Sequence, residues 1–600
     1  MPASYKGIAA RTTGGGGARS GARACYRLAH QDLFSIDTMS RRSVRHSLLV
    51  LAALGACHQS GARAPARAPL VLAPAESMFQ ALHQVKDRIG VTSARGASAD
   101  TDGTSLAEMR QRYQSIRTPL ARALASIDSA SLAPEDQRAL GAMRAALASG
   151  LRSDADATDA AGDSTVASVA CDYDPARLAQ GDSAYERLRA RIYACYTRAV
   201  QSVRFDGRTL DRLTAIGMLA RMDDRDARHR LFLAIDTIWR SMNGDDGVHS
   251  PYRRFVKLSA ERWRANGSPV DDEARVLRID PAEMEKWLIS VLEEWRVSTP
   301  ATMIEPWDWH YQAGAASRAL SDRIPLDDLG VLNARYFRDL GADLAALHVH
   351  YDLTPRAGKT PVAFTDFGGR PHLVQGVWQP GEPWVFATYR VGGLDNLNEL
   401  LHESGHAVHI AAIHQRPAFL DWPDNDALTE GLGDVAALEV YEPRWQMHYL
   451  GDSVPTSLGL RGRYGGIVLD IAWSLFEVRM HREPDADPNV VWGDITSHYL
   501  HITPHPELSW WAMRGQLIDE PGYMANYAIG SIIIADIRAR VRQLHGDFTT
   551  GDPTWYAFMT DHIYRFGLSR TSADVITTFL GRPISANAIL ADMRRMKDRR

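Results

Sequence analysis

The sequence predicts a mostly α-helical protein with a small β element close to one histidine-rich helix. Segments such as "IDPAEMEKWLISVLEEW" (279–295) carry their apolar residues at helical spacing. Strand-like alternation is scarce, and its best candidates are "PVAFTDF" (361–367) and "PWVFATYRV" (383–391). The 600 residues are 45% hydrophobic and 23% charged, which is ordinary for a large soluble protein. A formal net charge of −4 gives no basic surplus, so no nucleic-acid partner is expected.

The N-terminal segment is predicted to be a leader. "MSRRSVRHSLLVLAALGAC" begins at Met39 and places arginines before a short apolar run. The run is too short to span a bilayer, and it ends in Leu-Gly-Ala-Cys, which resembles the bacterial lipoprotein signal. We therefore expect residues 1–56 to be a leader with its true start at Met39. Lipidation of Cys57 would anchor an exported protein to the bacterial cell envelope, facing the periplasm or the cell exterior. The alternative is an ordinary signal peptide followed by a chance cysteine.

Residues 57–75 are rich in alanine and proline and predict a tether. After the tether we expect an N-terminal helical lobe (76–350) and a second, catalytic helical lobe (351–600). The polar stretch 149–168 predicts a long loop within the first lobe. Removal of the leader and lipidation of Cys57 leave only Cys171 and Cys195. These two can form one disulfide in an oxidising compartment or stay as buried free thiols.

Local signals mark several helices of the first lobe. Asp280 stands at an N-cap position, Pro281 at the first helical position and Glu283 where a capping box requires a glutamate. The segments "TLDRLTAIGMLARM" (209–222) and "ARHRLFLAIDTIWRSM" (227–242) repeat the apolar stripe. All three segments are therefore predicted to be helices.

The segment 397–414 predicts a helix that Asp395 caps at its start. His402 and His406 are four residues apart, and about one turn of helix separates them, so their side chains point the same way. Two imidazoles at this spacing can share one Zn²⁺, and the adjacent Glu403 can polarise a water molecule. The alternative is a pair of core histidines beside a surface glutamate.

A second helix is predicted over residues 427–441, and it carries Glu430 and Asp434 on one face. Glu430 is the candidate third ligand, and Asp434 is placed to accept the other N–H of a ligand histidine. The surrounding apolar residues make unpaired carboxylates costly, which argues against two solvated charges. Other zinc peptidases use shorter spacings, which would fall on Asp426, but the Glu-x-x-x-Asp pairing favours Glu430.

These motifs resemble two related groups of zinc peptidases. The 28-residue step from His402 to Glu430 and "EGLGDVAAL" are similar to the angiotensin-converting-enzyme (peptidyl-dipeptidase) family. "HESGHAVH" and "GYMANY" are similar to the thimet-oligopeptidase family, and "RAGKTPVAF" and "FLGRPISANAILADM" look like pieces of both. The resemblance is confined to motifs from about residue 350 to the end. It implies a two-lobed helical metallopeptidase of the HExxH/Glu (gluzincin) group, with a deep central cleft, one Zn²⁺ per chain and peptide substrates.

The resemblance also implies further site residues. Tyr527 and, less directly, Tyr523 match tyrosines that stabilise the oxyanion in these families, although both could simply pack. The families carry a substrate-binding histidine upstream of these tyrosines, and "WWAMRGQLIDEPGY" has none. His501 and His505 lie further back in the chain and could substitute for it. Arg514 or Gln516 could hold the C-terminal carboxylate of a peptide. Asn526 stands where the converting enzymes have an arginine linked to chloride dependence, so chloride activation is not expected.

The resulting hypothesis is a lipid-anchored zinc peptidase of the peptidyl-dipeptidase or oligopeptidase type. Glu403 would take a proton from water and pass it to the leaving amine. The rival hypothesis is a non-catalytic, lipid-anchored binding protein that keeps the zinc for folding. Structural zinc sites usually have four ligands and are closed, whereas three ligands beside a general base favour the enzyme.

Overall fold

The fold is given by a computed structural model, which describes residues 71–149, 171–247, 249–356, 359, 362–374 and 377–597. The predicted leader with Met39, the lipidation site Cys57 and most of the tether lie outside these residues, as does nearly all of the predicted loop at 149–168. Residues 75–600 belong to one compact unit, and no described helix is long and apolar enough to cross a membrane. The division into lobes at residue 350 stays a prediction.

Helices dominate the first half of the described chain. In chain order they are α1 (Ala73–Ala94), α2 (Leu106–Ala125), α3 (Pro134–Ser149), α4 (Pro175–Leu178), α5 (Ala184–Ala199), α6 (Arg212–Arg221), α7 (Arg225–Ala234), α8 (Asp236–Asn243), α9 (Pro251–Trp263), α10 (Pro269–Val276), α11 (Pro281–Ser298), α12 (Trp309–Ala313), α13 (Ala315–Ala319) and α14 (Leu329–Asp339). Asp280 caps α11 as predicted, because its carboxylate accepts the Ala282 N–H at 2.9 Å. The single helix predicted over 227–242 is two helices, α7 and α8, which meet at Ile235.

The second half is also helical. It contains α15 (Leu394–Ala412), α16 (Asp426–Ala437), α17 (Pro443–Leu450), α18 (Thr456–Arg482), α19 (Pro488–Leu500), α20 (Gln516–Asp519), α21 (Met524–Leu544), α22 (Trp555–His562), α23 (Ser572–Leu580) and α24 (Asn587–Arg594). A 3₁₀ turn, Leu438–Tyr441, extends α16 to the end of the predicted helix. The prediction of a mostly α-helical protein is confirmed.

The described strands are short. β1 (Val203–Phe205) and β2 (Arg208–Leu210) form a hairpin, and β5 (His372–Val374) pairs with β6 (Val377–Gln379). The three-stranded sheet has the order β3-β7-β4, where β3 (His350–Asp352) is parallel to β7 (Glu382–Phe386) and β4 (Phe364–Gly369) is antiparallel to it. Two of its strands, β4 and β7, are the segments predicted from alternation. This sheet packs against α15, so the predicted β element beside the histidine helix is confirmed.

Three helices cross closely around the histidines because glycines stand at their contacts. A Cβ added at Gly405 of α15 would lie 2.5 Å from the carbonyl oxygen of Gly433 of α16. A Cβ at Gly431 would lie 2.5 Å from Ile534 Cγ1 of α21, and one at Gly530 would lie 2.8 Å from the Ala427 carbonyl oxygen. Real Cβ atoms do not approach so closely. Glycines therefore bring α15, α16 and α21 to backbone contact and fix where the side chains of α15 and α16 meet.

The predicted cap of α15 is wrong. The helix begins at Leu394 with Gly393 at the N-cap, and Asp395 lies in its first turn. Gly393 has a φ of 103°, which favours glycine, and a Cβ at Gly392 would collide with the Ile324 carbonyl oxygen at 1.9 Å. The Asp395 N–H instead donates to the Ser317 hydroxyl at 3.3 Å. Tertiary packing therefore replaces the side-chain cap that the local sequence suggested.

Cys171 and Cys195 form a disulfide, with their Cα atoms 5.7 Å apart. This separation is the usual one for a disulfide. The bond ties the segment before α4 to the second half of α5. Of the two alternatives that the sequence left open, the structure has the bonded one.

Candidate metal centre

His402 and His406 meet on the face of α15 that points toward α16. Their Nε2 atoms are 3.0 Å apart, and their rings stand at 90° with centroids separated by 4.6 Å. The i, i+4 spacing produces this convergence because Cβ atoms four residues apart share one helix face. His402 keeps 13% of its side-chain surface exposed, and His406 is almost completely buried.

Glu430 of α16 completes a group of three donors. Its Oε2 lies 4.0 Å from His402 Nε2, and one donor atom from each of Glu430, His402 and His406 lies within 4.8 Å of the other two. Among the described residues no other group of three or more histidine, cysteine or acidic side chains converges in this way. Asp426, the alternative that the sequence raised, opens α16 and is outside the group.

Asp434 lies one turn beyond Glu430 and contacts the outer nitrogen of His402. Asp434 Oδ1 is 2.8 Å from His402 Nδ1. A carboxylate in this position accepts the Nδ1–H, so the neutral ring presents its Nε2 lone pair toward His406 and Glu430. The side chain of Asp434 is 30% exposed, which lets water solvate its second oxygen.

Gly433 leaves room for both imidazoles. A Cβ at this position would lie 2.9 Å from His402 Cε1 and 2.9 Å from His406 Nε2. The "EGLGD" segment therefore has two functions: its acidic residues face the histidines, and its second glycine lets α16 approach them.

Glu403 is completely buried beside the three donors. The hydroxyl of Thr365, on β4, lies 2.8 Å from Glu403 Oε2 and 2.8 Å from its carbonyl oxygen. The other carboxylate oxygen, Oε1, is buried and has no hydrogen-bond partner among the described residues. Burial raises the pKa of Glu403 to about 7, although His402 and Thr365 oppose this shift. A carboxyl group with such a pKa can accept and return a proton near neutral pH.

The surrounding charges favour one cation at the histidine pair. Burial alone would lower the pKa of His402, but Asp434, Glu403 and Glu430 together raise it to about 10. Burial and the neighbouring His402 keep the pKa of His406 well below its ordinary value. Burial also raises the pKa of Glu430. In the metal-free cluster, His402 is therefore the histidine that carries the positive charge.

The donor set fits Zn²⁺. Two imidazole nitrogens bound to one tetrahedral zinc would be about 3.3 Å apart, given Zn–N bonds near 2.0–2.1 Å, and the two Nε2 atoms here are 3.0 Å apart. Two neutral imidazoles and one carboxylate are the ligands of an open catalytic zinc site. A divalent ion would replace the proton on His402 and pair with the surrounding negative charge. His402, His406 and Glu430 would hold it.

Tyr527 and Tyr523 flank Glu430 from the start of α21. Their rings are 5.3 Å apart and nearly perpendicular. The Tyr527 hydroxyl is buried and makes no hydrogen bond of normal geometry to any described residue, although the Gln516 side chain lies beside it. Burial, and then the charge of Glu430, holds the pKa of each tyrosine above its ordinary value. Both hydroxyls therefore remain protonated donors at neutral pH.

Arg514 borders Tyr527 but is paired with an acid. Its guanidinium binds the buried carboxylate of Asp470 and stands over the rings of Trp473 (4.8 Å) and Tyr527 (6.0 Å). Gln516, at the start of α20, is half-buried and lies next to Tyr527. The two candidate substrate-binding residues are thus near Tyr527, with the charge of Arg514 already balanced by Asp470.

Sequence reasoning missed two groups of residues that support the site. Thr365 lies 38 positions before Glu403 in a strand, and nothing in its local pattern indicates the contact. The Tyr351 hydroxyl of β3 is 2.8 Å from the Ser404 hydroxyl and accepts a hydrogen bond from Asn333 at 3.0 Å. These contacts fix α15 to the sheet and to α14. They depend on tertiary structure, so no sequence signal would have shown them.

Comparisons with known proteins give a likeness of fold. No protein-family model and no curated protein matches the chain. A crystal structure of M32 carboxypeptidase from Deinococcus radiodurans R1 is 13% identical, covers 88% of this chain and 98% of its own, and has a TM-score of 0.49. A 3.1 Å X-ray structure described as oligoendopeptidase F is 14% identical, covers 87% of this chain and 96% of its own, and has a TM-score of 0.50. The second likeness shows a shared, mostly helical fold over most of both chains.

Proposed function

We propose that this protein is a zinc-dependent metallopeptidase that hydrolyses peptide bonds of oligopeptides. One observation carries the proposal: the donor atoms of His402, His406 and Glu430 converge within 4.8 Å, beside the buried carboxylate of Glu403. Three protein donors leave a coordination position free, and the adjacent glutamate supplies a general base. The fold likeness to a structure described as oligoendopeptidase F supports peptides as the substrate class.

The metal would be held by His402, His406 and Glu430, with Asp434 orienting His402. When bound, Zn²⁺ supplies Lewis acidity, which polarises a carbonyl group and lowers the pKa of water. Asp434 keeps the Nδ1 proton of His402 engaged, so that the ring stays in the tautomer that presents Nε2.

Glu403 would act as the general base and then as the general acid. Its Oε1 is the free oxygen, whereas Thr365 holds Oε2 and so fixes the plane of the carboxylate. In the first step Oε1 accepts a proton from the water molecule that attacks the scissile carbonyl carbon. In the second step the protonated Glu403 donates that proton to the leaving amine as the C–N bond breaks. A pKa of about 7 suits both transfers.

Tyr527 would donate its hydroxyl proton in a hydrogen bond to the oxyanion that forms on the carbonyl oxygen. A buried donor that makes no hydrogen bond of normal geometry, with only Gln516 beside it, is suited to this role because it has little existing bonding to lose. Arg514 and Gln516 lie next to Tyr527. We propose that Gln516 contacts the substrate there and that Arg514 stays paired with Asp470. The reaction is of the peptidyl-dipeptidase or oligopeptidase type.

We also propose that the peptidase is exported and anchored by a lipid on Cys57. The leader pattern supports export, and the Cys171–Cys195 disulfide is typical of proteins in oxidising compartments. Membrane fractions of cells that express the protein should contain it, and Cys57→Ala should move it to the soluble fraction. The same distribution for both proteins would contradict the anchor.

The function is tested with purified protein and a mixed peptide library, with and without a chelator, and mass spectrometry of the products. Cleavage should stop with the chelator and return with Zn²⁺. Dipeptides released from the C-terminus would identify a peptidyl-dipeptidase, and internal cuts an oligopeptidase. Glu403→Gln should keep one zinc per chain and lose at least about a hundredfold in kcat. Absence of cleavage with one zinc per chain would instead support the non-catalytic binding protein.

A further inference from the structure

A cavity separate from the metal centre lies where α11, α12, α18 and the end of α19 meet. It has a volume of about 260 Å³, and it is lined by none of the proposed zinc ligands, by neither Glu403 nor the two tyrosines, but by His501. The loop 299–304, which follows α11, forms one edge. Pockets for drug-sized ligands are roughly 300–1,000 Å³, so this cavity suits a somewhat smaller molecule.

The body of the cavity is apolar and aromatic. Trp295 and Trp309 are buried, their rings are 5.8 Å apart, and Ile304 and Leu500 add aliphatic surface. A Cβ at Gly465 would lie 2.8 Å from Ala313 Cβ, so α18 and α12 meet there without space for a larger side chain. The apolar wall is therefore closely packed.

Arg461 is the single arginine among the described residues that line the cavity. Its Nε donates to the Ser457 carbonyl oxygen at 3.2 Å, which orients the guanidinium, and no described carboxylate lies within 4.0 Å of it. Arg463, two residues later on α18, is different: it is buried and binds Asp592 at 3.0 Å. Arg461 thus keeps its two terminal nitrogens for a ligand, in a cavity whose described lining includes no aspartate, glutamate or lysine.

We propose that this cavity binds a small monocarboxylate with an aromatic or branched aliphatic body. The carboxylate would pair with the guanidinium of Arg461, and the body would pack against Trp295 and Trp309. Arginine binds carboxylates through two parallel N–H donors, which fits one planar anion. A cationic ligand would find no acid in the described lining, and a phosphate dianion would find only one arginine, because the Nε2 of His501, which also lines the cavity, already donates to the Arg296 carbonyl oxygen at 3.0 Å. The C-terminal residue of a peptide and a free aromatic acid share this chemistry.

Calorimetric titration of the full protein with two matched probes tests the proposal. N-acetyl-L-phenylalanine carries the carboxylate, and N-acetyl-L-phenylalaninamide has the same body without the charge. The acid should bind at least about tenfold more tightly than the amide, because the charged hydrogen bonds are lost with the amide. 3-Phenylpropionate distinguishes a peptide C-terminus from a free aromatic acid as the ligand. If it binds as tightly as N-acetyl-L-phenylalanine, a free aromatic acid suffices.

Variants assign the binding to the cavity. Arg461→Gln should weaken binding of the acid at least about tenfold, whereas Arg230→Gln, at an exposed arginine of α7, should leave it within about twofold. Thr302→Trp, on the exposed rim, should block both probes and serves if Arg461→Gln does not fold. A chelator should not change the affinity, because the site uses no metal.

Four results would overturn the proposal: equal affinities for acid and amide, full affinity in Arg461→Gln, loss of binding with the chelator, or no binding up to about 10 mM acid. The test does not depend on the proposed peptidase, since it measures binding to a cavity away from the metal centre.

Discussion

The hydroxyl of Thr365 lies 2.8 Å from Oε2 of Glu403, so one strand of the small sheet holds the buried carboxylate next to the histidine pair. The same hydroxyl is 2.8 Å from the Glu403 carbonyl oxygen. β4 thus touches α15 at the residue that would move the proton. The sheet is a minor part of the fold, but it holds the proposed base in place and lowers the pKa that burial raises.

Thr365→Val should reduce kcat about tenfold and move the acidic limb of the pH profile to higher pH. The Thr365 hydrogen bond lowers the pKa of Glu403, so its loss should raise that pKa further above about 7 and leave less of the base ionised at neutral pH. The dependence of kcat/KM on pH, measured from roughly pH 5 to 9, reports this shift.

Thr365→Ser keeps the hydroxyl and is the matched control. It should retain the wild-type pH profile. A Thr365→Val enzyme with an unchanged acidic limb would show that the strand positions nothing at Glu403.

Part of the site is visible in the sequence because it follows helical period. His402 and His406 share a face by spacing alone, and Glu430 and Asp434 share a face for the same reason. The structure brings these two faces together, with His402 Nδ1 2.8 Å from Asp434. The mostly α fold follows from the same helical period, and the two strands before α15 follow from the alternation of apolar and polar residues.

The rest of the site and the start of α15 depend on tertiary contacts, which leave no periodic pattern in the sequence. Thr365 is distant from Glu403 in sequence, and the cap of α15 is determined by Gly392 and Gly393 against the Ile324 backbone, not by Asp395. The sequence offers Arg514 or Gln516 for a substrate carboxylate, and the pairing of Arg514 with Asp470 becomes visible only when α18 and the segment before α20 are in place.

Asp434→Asn should weaken zinc binding about 10–100-fold, because it removes the charge that orients His402 and raises its basicity. Competition with a chromogenic chelator measures the affinity. Asp426→Asn is the control, since Asp426 lies outside the donor group and should leave zinc affinity within about threefold. If Asp426→Asn bound zinc more weakly than Asp434→Asn does, Asp426 and not Glu430 would be the third ligand.

Gly433→Ala should abolish or greatly weaken zinc binding while the protein stays folded. The new methyl group would lie 2.9 Å from His402 Cε1 and 2.9 Å from His406 Nε2, so both rings must shift away from α16. Alanine favours a helix by about 1 kcal/mol over glycine, which limits any loss of helical structure. Zinc content and circular dichroism together measure the two effects.

Gly466→Ala is the matched control for this substitution. Gly466 also lies within a helix, α18, but a Cβ there would meet no heavy atom within 4 Å. This variant should bind zinc as the wild type does. Equal zinc affinity in the Gly433 variant would mean that the histidines do not need the space at that glycine.

Tyr527→Phe should lower kcat about a hundredfold with zinc content unchanged, because the hydroxyl would act only on the developing oxyanion. Its hydroxyl is buried and makes no hydrogen bond of normal geometry, although Gln516 lies beside it, so its removal should disturb the fold little. Tyr523→Phe should have a smaller effect, below about tenfold, since only Tyr527 is placed in this role. Steady-state kinetics on one cleaved peptide compares the two. If Tyr523→Phe lowered kcat more than Tyr527→Phe does, Tyr523 would be the donor to the oxyanion.

Metal-free Glu403→Gln should be more stable than the metal-free wild type at alkaline pH and nearly equal to it in acid. Burial raises the folded-state pKa of Glu403 from 4.5 to about 7, so the fold favours the protonated carboxyl. The wild type therefore loses stability as pH rises through this interval, because the folded protein binds more protons than the unfolded chain. The amide in the Glu403→Gln variant does not titrate and has no such dependence. The difference between the two proteins should approach about 3 kcal/mol at pH 8 and stay below about 1 kcal/mol at pH 5.

Urea unfolding at both pH values, with a chelator present, measures this difference. Zinc should reverse it, since the cation offsets the charge of Glu403 and stabilises the wild type at pH 8. A Glu403→Gln protein that gains no stability relative to the wild type between pH 5 and 8 would show that the carboxylate is better solvated than its burial indicates. The same result would remove the basis for a base with a pKa near 7 and leave Glu403 ionised throughout the neutral range.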